Sequence, residues 1–449
     1  MSDLIAEFDH FIAAHPDIER FDGFAFDLNG MERGKRYSRG AARSVFAAGT
    51  QMPWSNFLLD ASGAVTDAGG HGYSDGDPDG LAHVIPGSLR IVPWAQRPTA
   101  QFELGLARAG DPGPELDPRQ LLLRAATSLA ARQLRAVSAF EIEFYLFRPR
   151  LDRDGRPMAP RGISSGRRED NPQVYSMELL ADFDPLIDDI MAAAMQQGLP
   201  LTVASTEYGR GQFEANLRHV DDPLRAAGEC LLTRRLIRGV AARHGLRASF
   251  MAKPSLSDAG NGMHVNLSLL DMAGRNLFHA EDGPSLTMKH AIGGLLAALP
   301  ESLAILAPNR NAFRRFVPGQ FVPVAANWGI ANRSVAVRAI LGDAGSQRIE
   351  HRVASSDANP CLALAAILIA AVHGIEHRIE PGPPATGNAG RTADPDLPLR
   401  IDRALEKLRD APILAEVLGD WLPLYQEVKR TELARLRNEI PPREYRWYL

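Results

Sequence analysis

Phe140-Glu141-Ile142-Glu143-Phe144-Tyr145-Leu146-Phe147 decides the reading of this 449-residue chain. Side chains alternate faces along a strand, so Glu141, Glu143 and Tyr145 point one way while Phe140, Ile142, Phe144 and Leu146 point the other. The apolar set demands a core. Two carboxylates at i and i+2 on the opposite face repel each other unless cations lie near. The solvated face of an antiparallel sheet would account for a lone pair of this kind, so the weight falls on what the rest of the chain supplies.

Upstream, Asp117-Pro118 opens a helix over Arg119 to about Arg135, and a composition shift there marks a domain boundary. Downstream, residues 148–173 read as a long Arg-, Asp-, Gly- and Pro-rich loop. A helix over Pro185–Gln197 follows, then a strand over Leu199–Thr206 ending at Glu207 and a partner strand over Gly211–Leu217. Gln212, Glu214 and Asn216 share one face of that partner. After a helix over Pro223–His244, Met263-His264-Val265-Asn266-Leu267-Ser268-Leu269 places His264, Asn266 and Ser268 opposite an apolar face. Asn332–Arg338 and Gln347–Val353 repeat the alternation with cations, so that Arg348, Glu350 and Arg352 share a face. Each strand alone is an ordinary salt-bridged surface.

Together they describe a curved antiparallel sheet, packed on helices through one face and carrying Glu141, Glu143, Glu207, Glu214, His264, Arg338, Arg348, Glu350 and Arg352 on the other. Five carboxylates and an imidazole on one surface call for divalent cations, and oxygen-rich ligation favours magnesium or manganese over zinc. The neighbouring arginines call for anionic ligands. Two hard cations flanked by guanidinium groups are the apparatus of phosphoryl transfer.

Composition narrows the class further. Hydrophobic content of 45%, charged content of 23% and a net charge of −4 describe a soluble globular protein with no bias toward polyanions, which argues against nucleic acid as a partner. Cys230 and Cys361 are the only cysteines, too few for a disulfide framework or a thiolate metal site. The N-terminus reads as an amphipathic helix and no apolar run is long enough to span a bilayer, so a cytoplasmic protein is expected. Two tempting turns carry no chemistry. Gly30 to Gly34-Lys35 is one residue short of a phosphate loop and has Arg36 where Ser or Thr belongs, while Asp75–Gly80 opens like a calcium loop but reaches Pro86 at the twelfth position.

The ordered series F-E-I-E-F (140–144), E-Y-G-R-G-Q-F-E (207–214), G-N-G-M-H-V-N-L-S-L (260–269), N-A-F-R-R-F-V-P-G (311–319), N-R-S-V-A-V-R (332–338) and R-I-E-H-R (348–352) with A-N-P-C-L (358–362) resembles the glutamine synthetase family. The R-G-K-R turn at 33–36 resembles its glutamate-amine ligase branch, that of gamma-glutamylputrescine synthetase. The resemblance implies an α+β protein with a small N-terminal β-grasp domain (1–115) and a C-terminal catalytic domain (116–449). It also implies hexameric rings, single or stacked, with each site between neighbouring subunits. The first metal would be held by Glu143, Glu207 and Glu214, and the second by Glu141, His264 and Glu350. Arg315 and Arg352 would clamp the glutamate carboxylates, with the Gly260 backbone near its amino group. Arg338 and Arg348 would stabilise the transferring phosphoryl group of ATP, with Asn266 and Ser268 beside the nucleotide.

Several positions depart from the family's pattern. Asn266 stands where a second His is usual, Ala259 where an Asn often contacts glutamate, and Phe321 where ammonia-using relatives carry a flap glutamate. No D-G-S-S turn occurs before residue 115, leaving Glu32, beside Arg33, Lys35 and Arg36, as the candidate acid. Pro395 replaces the tyrosine that some relatives expose for adenylylation. The function implied is ATP-dependent joining of glutamate to a primary amine through a gamma-glutamyl phosphate. Ammonia-dependent glutamine synthesis is the alternative enzyme. A catalytically silent ring protein would lack metal ligands, and none of the six is lost.

Overall fold

The structure, a computed structural model, describes residues 2–106, 115–169 and 173–448. Part of the long loop expected at 148–173, and residues 107–114 leading into the expected domain boundary, lie outside the described residues.

The N-terminal unit packs helices Ser2–Ala14 and Arg39–Ala48 against a sheet of β1 (Arg20–Phe26), β2 (Glu32–Ser38), β3 (Thr50–Pro53), β4 (Asp79–Val84), β5 (Arg90–Ile91) and β6 (Thr99–Leu106). Its order is β2-β1-β6-β4-β3, with β5 beside β6. β1 and β6 run parallel and the other pairs antiparallel, the mixed pairing of a β-grasp arrangement. Phe8 of the first helix packs between Phe21 and Phe46, with ring centroids 5.4 and 5.0 Å away, so three aromatics from three elements close this core.

The larger sheet is built from β7 (Leu134–Phe147), β8 (Leu201–Thr206), β9 (Gln212–Leu217), β10 (Arg247–Ser249), β11 (Met263–Asp271), β12 (Trp328–Ile330), β13 (Val337–Ile340) and β14 (Arg348–His351). The order is β12-β13-β14-β11-β7-β9-β8, with β10 on the end of β7. All pairs are antiparallel except β12 with β13, so the expected antiparallel sheet carries one parallel edge. Phe140, Ile142, Phe144 and Leu146 are buried, as alternation requires.

Helices Pro118–Ala131, Pro223–Arg243, Leu286–Leu306 and Pro360–Glu376 form the supporting layer, and the last is apolar on nearly every side because it lies among the others. Three of the four share one start signal. Asp117, Asp222 and Asn359 each accept a hydrogen bond from a first-turn amide, and proline follows where its missing N–H costs nothing.

Asn332–Ala336, expected as strand, is a turn instead, and the strand begins at Val337. The Asn332 Oδ1 accepts from the Ser334 backbone N–H at 2.9 Å and from its hydroxyl at 2.7 Å, a local closure that competes with sheet pairing.

Candidate active site

Register brings the polar positions together. β7 pairs Glu141 with Asn216 and Glu143 with Glu214 across β9, and Glu141 with His264 across β11. β11 pairs Asn266 with Glu350, which faces Arg338 on β13. Residues that share a register pair share a face. The result is a cavity of about 680 Å³ lined by every metal, glutamate and phosphoryl-group residue expected from the sequence, and by Phe321, but not by Asn266 or Ser268. Those two lie on the same face but are otherwise engaged. The Asn266 amide donates to Glu141 at 2.9 Å and accepts from Arg348 Nε at 2.9 Å, while the Ser268 hydroxyl donates to the Gln347 carbonyl at 3.0 Å.

Two groups of ligand atoms form. Glu141, His264 and Glu350 converge within 4.8 Å of one another, and so do Glu143, Glu214 and His264. His264 Nδ1 lies 3.2 Å from Glu141 and 3.5 Å from Glu350. Glu207, expected beside Glu143 and Glu214, lines the cavity outside both groups. The Glu143 carboxylate accepts from the Gly262 N–H at 2.7 Å. Glu350 lies between Arg338, 3.0 Å away, and Arg352. Arg315 is buried and donates to the Val353 carbonyl at 3.1 Å.

The electrostatics fit a binding site for cations. Burial, then the charge of Glu143, pushes Glu207 up to about 7; burial and the same charge, joined by Glu141 and Glu207, push Glu214 up to about 8. Burial raises Glu141, but the hydrogen bond and charge of His264, the hydrogen bond from Asn266 and the charge of Arg352 together outweigh it and hold the carboxyl well below the usual range. Carboxylates this costly to ionise, grouped with one imidazole, suit divalent cations.

The family model for the glutamine synthetase catalytic domain matches residues 115–448. The chain belongs to the glutamine synthetase family. It is 35% identical to the gamma-glutamylputrescine synthetase PuuA of Escherichia coli, covering 99% of this chain and 94% of that one. The glutamate–isopropylamine ligase of a Pseudomonas species is 30% identical, covering 95% and 94%. A solved structure of GmaS without ligand is 28% identical with a TM-score of 0.83, covering 100% of this chain and 99% of that chain. This glutamine synthetase-family ligase therefore has the fold and enzyme class that the strand motifs implied.

Sequence reasoning left out several cavity residues. Arg333 lines the cavity and donates to the Tyr175 hydroxyl at 3.1 Å; reading its segment as strand obscured it, though it stands in the quoted N-R-S-V-A-V-R motif. Tyr208 lies beside Phe321, their ring centroids 6.1 Å apart. Glu32, the candidate acid of the N-terminal turn, does not line this cavity and instead sits 3.9 Å from Arg238. Among the described residues no helix is long and apolar enough to cross a membrane.

Proposed function

We propose that this cavity joins the gamma-carboxylate of glutamate to a primary amine at the expense of ATP. The supporting observation is the shared face that holds two carboxylate–imidazole groups within reach of Arg315, Arg333, Arg338, Arg348 and Arg352. Glu143, Glu207 and Glu214 would hold one magnesium or manganese ion, and Glu141, His264 and Glu350 the other. When bound, these ions supply charge neutralisation on the phosphate oxygens.

The protein's own groups do the rest. Arg315 and Arg352 orient the glutamate carboxylates, and the Gly260 carbonyl faces its ammonium group. A side-chain oxygen of glutamate attacks the terminal phosphorus of ATP, the bond to the ADP oxygen breaks, and Arg338 and Arg348 meet the charge on the moving phosphoryl group. The nitrogen lone pair of a neutral amine then attacks the acyl carbon, phosphate leaves and the nitrogen gives up its proton, so the product is a gamma-glutamyl amide. The family resemblance implies a ring as the working assembly, with neighbouring subunits completing each site.

The rim of the cavity bears on the choice of amine. Phe321 is 56% exposed and Tyr208 54%, and both line the cavity. A ring that merely packed its loop would not leave over half its surface open. Apolar area of this kind contributes on the order of 25 cal/mol per Å² when an alkyl or aromatic body covers it. Ammonium instead needs an acid to attract and deprotonate it, and Phe321 occupies the flap position where relatives place one. A primary monoamine with an apolar body is therefore the preferred nucleophile over ammonium or a dicationic polyamine.

Phosphate release should be measured with ATP, glutamate and a panel of ammonium, aliphatic mono- and diamines, ethanolamine and aromatic amines. Release should depend on glutamate and be most efficient with an apolar-bodied monoamine. An ammonium specificity equal to or above that of every amine would overturn the amine assignment.

A further inference from the structure

We propose that Gln212 is a positioning residue whose side-chain amide locks the turn after Glu207 to the turn before His264, and so fixes the Glu143 carboxylate and the Gly260 carbonyl together. The inference rests on the site reading above and adds a residue that the ligand and substrate assignments do not contain.

Gln212 is buried at the root of β9. Its Oε1 accepts from the Gly209 N–H at 2.8 Å. Its Nε2 donates to the Gly260 carbonyl at 3.1 Å and to Asn261 Oδ1 at 3.0 Å, and reaches Glu143 Oε2 at 3.4 Å. Each end of one amide therefore serves a different turn. Asn261 cannot exchange its own oxygen for nitrogen without loss, because its Nδ2 already donates to the Met251 carbonyl at 2.9 Å. The same Glu143 oxygen takes the Gly262 N–H at 2.7 Å, so the carboxylate is aimed from two sides.

A second brace runs alongside. The buried Tyr145, two residues beyond Glu143 on the same face, donates from its hydroxyl to the Ala259 carbonyl at 2.8 Å. A Cβ at Gly209 would lie 1.7 Å from that hydroxyl, so the phenol seats directly on the first turn while bonding the second. At the mouth, Arg210 and Asp258 join the same two turns at 3.2 Å. The first turn carries Glu207 and the aromatic Tyr208; the second carries Ala259 and Gly260. Gln212 thus ties the metal side of the cavity to the glutamate side by hydrogen bonds at both ends, whereas the Tyr145 hydroxyl makes its hydrogen bond to the glutamate side and only packs against the first turn.

Gln212→Met, Gln212→Asn and Tyr145→Phe separate these roles. Binding of Mn2+ to substrate-free protein is read by electron paramagnetic resonance, and glutamate KM, ATP KM and kcat by phosphate release. Both Gln212 variants should weaken Mn2+ binding and raise the glutamate KM by about tenfold or more, with ATP KM within about twofold and melting temperature near wild type. Tyr145→Phe should raise the glutamate KM and leave Mn2+ binding unchanged. Should Gln212→Met fail to fold, Gln212→Asn decides, since it keeps the amide but is too short to serve both turns. Wild-type Mn2+ binding and glutamate KM in the folded Gln212 variants, or a fall in kcat and melting temperature alone, would overturn the proposal. If the wild-type protein shows no glutamate-dependent turnover, the ligase reading fails while the Mn2+ comparison still judges Gln212.

Discussion

Glu214 carries the most strained charge in the cavity, pushed up to about 8 by burial and by Glu143, Glu141 and Glu207. Its described side-chain hydrogen bond is from Asn216 at 3.2 Å, so removing it strands little. Glu214→Ala should leave the metal-free melting temperature equal or higher while cutting glutamate-dependent ATP turnover by about 100-fold or more, since outer partners of metal ligands alone are worth about 10–100-fold. Turnover at the wild-type rate in chelated and re-magnesiated buffer would count against the two-metal site. Glu350→Ala is a poorer test: Glu350 lies between Arg338 and Arg352, and breaking such a buried pair costs about 3–5 kcal/mol of fold stability. Phe321→Glu restores an acid at the flap, so the ratio of ammonium to amine specificity should rise; an unchanged ratio would show that this ring does not select the nucleophile. Alternation made Glu141, Glu143, Glu214, His264 and Glu350 legible because each is a strand residue beside apolar neighbours. Gln212 was legible as a face but not as a hub, because the partners of its Nε2, in Gly260, Asn261 and Glu143, are distant in sequence.

Helices and strands followed from local chemistry wherever that chemistry was complete. Asp117-Pro118, Asp222-Pro223 and Asn359-Pro360 fix helix starts through caps and proline placement, and Pro223–Arg243 ends within a residue of its expected limit. The parallel edge of β12 was not legible, since its partner is chosen by tertiary packing, and the Asn332 turn was hidden beneath a strand-like composition. Helix packing also sets a titration. Glu301 of Leu286–Leu306 accepts from the Leu414 N–H at 2.9 Å, at the start of helix Pro412–Leu418, and burial pushes its carboxyl up to about 7 from an ordinary value of 4.5. A carboxyl with a raised folded pKa favours the folded state at low pH and forfeits that contribution as pH climbs from about 4.5 through about 7. Glu301→Gln keeps the acceptor and removes the charge. Melting measured from pH 5 to 8 should therefore fall less with pH in the variant than in wild type; parallel profiles would refute the assignment.

At the scale of the molecule, buried residues of the N-terminal sheet and of the larger sheet with its helices belong to one continuous core, and polar contacts link the two regions. Asn359 donates to the Asp27 carbonyl at 2.9 Å, Lys429 to Asn29 at 2.7 Å, and Arg435 pairs with Asp60. Helix Pro360–Glu376 behind the large sheet, through its cap Asn359, and helix Trp421–Asn438, through Lys429 and Arg435, are therefore tied to the N-terminal residues Asp27, Asn29 and Asp60, and a cavity built on the large sheet rests on that frame. This long-range bolting was not legible in the sequence, because Lys429 and Arg435 look like ordinary charges on an amphipathic helix. In the proposed reaction ATP is spent on activating the glutamate side chain before the amine arrives. The most direct test is to supply glutamate labelled with oxygen-18 in its side-chain carboxylate, with ATP, magnesium and the preferred amine, and to weigh the phosphate released. One labelled oxygen should appear in each phosphate, with the other retained in the gamma-glutamyl amide. Phosphate free of label would mean that water, and not glutamate, attacks ATP, and would contradict the proposed reaction.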